Sequence, residues 1–134
     1  MDEEFRQRLG ELDEEQFQQL YGRWDRLRPT DAAALFAGFD AAWWIAGGWA
    51  IETFTGVGRP HDDLDIGVFE RDVPALVQHF LPTHHVWAAG SGMLSPMLAP
   101  TQEMPAGMRQ LWIRERATRP WLLDVLITPH DGDR

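Results

Sequence analysis

The sequence predicts an α+β chain in which N-terminal helices precede a small mixed β-sheet flanked by helices. Three observations predict it. Phe17, Leu20, Tyr21 and Trp24 recur at the i, i+3, i+4, i+7 spacing of one helical face. Residues 63–68 alternate, with Asp63, Asp65 and Gly67 on one side and Leu64, Ile66 and Val68 on the other, which is the period of a half-buried strand. PWLLDVLITP alternates again, setting Leu122, Asp124 and Leu126 against Leu123, Val125 and Ile127.

The elements follow in order. Asp13 can cap a first helix that begins at Glu14, and Pro29 ends that segment. Thr30 or Asp31 caps a second helix, DAAALFAGFD. AAWWIAGG reads as a buried strand running into a tight turn. WAIETFTG is a short helix stopped by Gly56, and VGRPHD is a loop. After the strand DLDIGVF comes the helix RDVPALVQHFLP, with Asp72 as its cap and Pro74 in its first turn. HHVWAA is a further strand, and the Gly-, Pro-, Met- and Ser-rich stretch from Gly90 to Gly107 reads as irregular loop. MRQLWIRER and PWLLDVLITP form the last two strands, with Arg119-Pro120 at the turn between them. The chain is expected to be one domain over residues 1–134, with a helical segment at 1–40 and an α/β core at 41–128.

Composition narrows the function classes. Apolar residues make up 44% of the 134 residues, enough for a real core. There is no cysteine, so disulfides and thiolate zinc sites are excluded. The formal charge of −9 disfavours nonspecific binding to nucleic acid and favours a cationic small molecule. The acidic N-terminus has no signal-peptide pattern, and the apolar runs are too short to span a bilayer, so a soluble, cytoplasmic protein is expected. Seven tryptophans imply either a core packed with large rings or a pocket lined with them.

The chemistry-bearing residues are carboxylates. Asp63 and Asp65 share a strand face with Cα atoms roughly 6.5–7 Å apart, so both can lean toward a hard cation such as Mg²⁺. Asp124 is the only acid in its apolar run, where a buried lone carboxylate is costly without a partner or metal. Gly47-Gly48 lets backbone approach a ligand, and the N–H groups of the helix that follows can receive phosphate. Arg59 can steady a triphosphate by charge-assisted hydrogen bonds. Each element also has a purely structural reading: a solvated Asp-x-Asp loop, a surface-facing strand acid, an ordinary tight turn, a surface arginine. His61 fits a partner of Asp63 or a loop cap. His79, His84 and His85 lack a zinc-hydrolase context.

Residues 43–68, WWIAGGWAIETFTGVGRPHDDLDIGV, resemble the signature of the DNA polymerase β-like nucleotidyltransferase superfamily. The Gly-Gly-Trp-Ala and Arg-x-His-Asp-Asp-x-Asp blocks look like its aminoglycoside 2''-adenylyltransferase branch in particular. The resemblance covers about a fifth of the chain. It implies a polymerase β-like nucleotidyltransferase fold, two Mg²⁺ ions on Asp63 and Asp65, and Asp124 as a third carboxylate that binds metal or accepts the proton of the attacking hydroxyl. Gly47 and Gly48 would cradle the β- and γ-phosphates. The implied reaction transfers a nucleoside monophosphate from ATP or another NTP to a hydroxyl of a small, cationic, aminoglycoside-like acceptor and releases pyrophosphate. The chain departs from the pattern in carrying Glu52 where the branch has Asp, and in the length of the Gly90–Gly107 stretch before Asp124. Such enzymes also carry a C-terminal helical part that completes the acceptor pocket, and the sequence leads us to expect that part to be absent here. A second function class is an antitoxin-like nucleotidyltransferase domain that binds nucleotide or a protein partner without turnover.

Overall fold

The computed structural model describes residues 23–24, 27–46, 65–90 and 92–129. The expected helix from Glu14, the Gly47-Gly48 turn, the helix WAIETFTG, the loop with Arg59 and His61, and Asp63 lie outside the described residues.

The chain is α+β, with a six-stranded mixed sheet and a few helices. Helix α1 is Pro29–Leu35, strand β1 is Trp43–Ala46 and strand β2 is Asp65–Phe69. A 3-10 turn at Glu70–Asp72 leads into helix α2, Val73–Phe80. Strands β3 (His85–Gly90), β4 (Met93–Met97), β5 (Gln110–Arg114) and β6 (Trp121–Thr128) complete the sheet. Its order is β1-β2-β6-β5-β3-β4. Among these described strands β2 and β6 pair in parallel, and the other four pairings are antiparallel.

The core lies between one face of the sheet and the two helices. Val73, Leu76, Val77 and Phe80 recur at helical spacing and present one apolar stripe. They meet Ile66, Val68, Leu111, Ile113, Leu123, Val125 and Ile127 from alternate positions of the central strands. Phe36, at the end of α1, stacks on Trp43 with centroids 4.7 Å apart and meets Phe80 edge-on at 5.3 Å. His79 Nε2 lies 2.8 Å from the Leu35 carbonyl and ties α2 to the C-terminus of α1.

Several expectations need correction. Trp24 was expected on a helix, but its backbone bridges Trp121 in parallel, and the Trp121 N–H donates to the Arg23 carbonyl at 2.7 Å. Its indole packs on Trp112 and Trp121, and the burial of three large rings outweighs the weak preference of a terminal turn for helix. Helix α1 begins at Pro29 with Arg28 at its cap, ahead of the expected cap at Thr30 or Asp31, because a first-turn residue needs no N–H. Asp31 sits within the first turn and accepts the Arg28 N–H at 2.8 Å. Asp72 stands at the cap of α2 without a side-chain cap bond.

The Gly90–Gly107 stretch is not all loop, since β4 hairpins back on β3 through Gly92, whose φ of 73° suits glycine. Pro96 disguised that strand; it is tolerated because β4 is an edge. Strand β1 is likewise an edge strand, partly buried rather than buried, with Ile45 45% exposed. A register shift at Ile113/Arg114 breaks the alternation expected around Leu122, which packs against the helical core.

Candidate functional site

The second face of the sheet carries the acids. β2 and β6 pair in parallel with Asp65 opposite Asp124. Neighbouring strands lie about 4.8 Å apart, so register partners present their side chains to the same face side by side. Asp65 is 3% exposed and Asp124 is fully buried. The strand expected to be half-buried is therefore buried on both faces, carboxylate included. Ala46, the last described residue of β1, pairs with Asp65. Gly47 and Gly48 follow it in sequence and, with Arg59 and Asp63, lie outside the described residues. Of the expected site residues, the structure brings together Asp65 and Asp124.

The floor beside the pair is built from rings and one glycine. Gly67 follows Asp65 on the same face, and a Cβ there would overlap the Trp44 indole that covers it. Trp44 also packs on Phe69, with centroids 5.0 Å apart. Trp112 faces Asp124 across the β5–β6 pairing and is fully buried. It meets Trp24 edge-on at 5.1 Å and Trp121 at 5.4 Å. The Arg114 guanidinium stacks over Trp121 at 4.0 Å and approaches Trp87 at 5.7 Å. Burial pushes the Arg114 guanidinium below its ordinary range. Trp112 and Trp121 are thus core rings behind the acids.

One polar contact was not anticipated. Gln110 is 6% exposed, and its Nε2 donates to Asp124 Oδ1 at 3.2 Å and Oδ2 at 3.4 Å. In the antiparallel pairing Gln110 stands opposite Leu126, two residues beyond Asp124. A long side chain spans that diagonal. The sequence signal was faint: a glutamine two positions before a tryptophan in a strand of unknown register.

The donor chemistry suits a hard divalent cation. Two adjacent buried carboxylates repel each other when both are ionised, and a shared cation offsets that repulsion. Among the described residues no third His, Asp or Glu joins them. The histidines stand elsewhere: His79 ties the helices, and His84 Nδ1 pairs with Thr83 Oγ1 at 2.7 Å. A cavity of about 770 Å³ between α2 and residues 100–109 includes neither carboxylate; its one lining residue from β6 is Ile127, near the C-terminal end of that strand. Among the described residues no helix is long and apolar enough to cross a membrane.

No curated protein matches this chain, and no solved structure does. A family match covers the sequence from α1 into β3, taking in Gly47, Gly48, Arg59, Asp63 and Asp65 but neither Gln110 nor Asp124. Residues 30–89 match the model of the aminoglycoside-2''-adenylyltransferase family, the same branch that the block from Trp43 to Val68 resembles.

Proposed function

We propose that the chain is a Mg²⁺-dependent nucleotidyltransferase of polymerase β-like fold. It transfers a nucleoside monophosphate from ATP or another NTP to a hydroxyl of a small, cationic, aminoglycoside-like acceptor. The observation that carries this reading is the register that sets Asp65 beside Asp124, both buried, on neighbouring parallel strands. The match over residues 30–89 supports the adenylyl-transfer chemistry.

Asp63, Asp65 and Asp124 would hold two Mg²⁺ ions through hard carboxylate oxygens. The chemistry that Mg²⁺ would supply there is neutralisation of phosphate charge as the acceptor hydroxyl displaces pyrophosphate. Gly47 and Gly48 would receive the β- and γ-phosphates on backbone N–H groups, and Arg59 would pair with them. Asp124 serves as the third metal-binding carboxylate or takes the proton of the attacking hydroxyl at a carboxylate oxygen. The net charge of −9 draws a polycationic acceptor toward the site and repels nucleic acid.

Incubation of the protein with Mg²⁺, each NTP and a panel of aminoglycosides tests the proposal. The expected result is pyrophosphate release together with an acceptor that gains one nucleoside monophosphate in mass. ATP·Mg²⁺ binding with no turnover on any acceptor would instead favour a nucleotide-binding domain without catalysis.

A further inference from the structure

On the reading of Asp65 and Asp124 as metal-binding carboxylates, we infer that Gln110 is the positioning residue of Asp124, its side-chain amide holding that carboxylate in its metal-binding orientation from the neighbouring strand. The contact joins two buried side chains, so bulk water does not compete for it. A glutamine amide has a donor end and an acceptor end, and only the donor end can face an ionised carboxylate. The Nε2 group reaches both oxygens of Asp124, so the donor holds the carboxylate group through both oxygens rather than one. Trp112 stands directly opposite Asp124 and fills the space toward β5. Asp124 is thereby bounded on the β5 side by a ring and a donor, while its β2 side meets Asp65. Partners that orient metal-binding side chains in this way govern affinity without touching the metal.

A double-mutant cycle on the full chain tests this, with Mn²⁺ alone as the probe and binding read by electron paramagnetic resonance. Gln110→Leu keeps approximate size and removes the donor. It is expected to weaken Mn²⁺ binding about 10-fold or more. In an Asp124→Asn background the same change is expected to leave Mn²⁺ binding within about twofold, because the carboxylate it positions is gone. Thermal unfolding of each variant checks folding. If Gln110→Leu does not fold, Gln110→Asn, whose amide is one methylene short, enters the same cycle with the same expectation. Equal losses in both backgrounds, or no loss in folded Gln110→Leu while Asp124→Asn loses Mn²⁺, would overturn the positioning role and leave the metal reading standing. Mn²⁺ binding untouched by Asp124→Asn would overturn both.

Discussion

The two faces of β2 and β6 are made by alternating residues of the same two strands and do opposite work. On one face Ile66, Val68, Leu123, Val125 and Ile127 meet α1 and α2 in an apolar layer. Burial there is worth about 1.5–3 kcal/mol for each large side chain. On the other face Asp65 and Asp124 lie side by side, with Gln110 and a group of tryptophans around them. Burying two carboxylates costs several kcal/mol before any partner is counted. A single strand pairing thus places the stabilising and the costly groups one residue apart. The helical face supplies the rigidity that keeps the two carboxyl groups adjacent, which is what a cation-binding pair requires.

That contrast can be broken from either side. The largest effect is expected at the acids. Asp124→Asn or Asp65→Asn should lower nucleotidyl transfer on the order of 10³-fold, several kcal/mol of transition-state stabilisation, in an NTP and acceptor assay. The same variants should leave the melting temperature of the metal-free protein unchanged or raised, since a repulsive pair is relieved. On the opposite face, Phe80→Ala should cost about 3–5 kcal/mol of stability in a denaturant titration, because a fully buried ring is lost. Gly67→Ala should cost about 1–3 kcal/mol, the penalty of displacing the Trp44 indole, and Trp44→Ala should reduce that penalty when combined with it.

The smallest effect is a change of pH slope. Burial pushes the His84 imidazole below its ordinary 6.5, while Glu115 raises it and His79 lowers it. The unfolded chain then takes up that proton more readily than the folded one, so stability is lost as pH falls through about 6.5. His84→Gln should flatten the fall in melting temperature between about pH 7.5 and pH 5.5.

How much of this was legible in the sequence depended on whether the signal was local. The alternation of β2 and β6 could be read directly, and so could the oddity of an acid at position 124 in an apolar run. Neither shows that β2 and β6 are neighbours, which is a long-range pairing between residues 65 and 124. Gln110 acquires its role only from that pairing and from the adjoining register of β5, so no local pattern could single it out. Trp24 fits a helical stripe as well as it fits a bridge, and ring packing on Trp112 and Trp121 decides between them. Strand β4 was hidden because Pro96 breaks an interior strand but not an edge. The buried state of Asp65 was also misread, since alternation alone cannot tell a solvated face from one covered by rings.

The central claim is that Asp65 and Asp124 together form a metal-dependent nucleotide site. Calorimetric titration with a non-hydrolysable ATP analogue, with and without Mg²⁺, tests it on the intact protein and on a folded Asp124→Asn variant. The account predicts Mg²⁺-dependent binding by the intact protein that the variant loses while keeping its melting temperature. Equal binding by the two proteins, or binding by the intact protein indifferent to Mg²⁺, would contradict it.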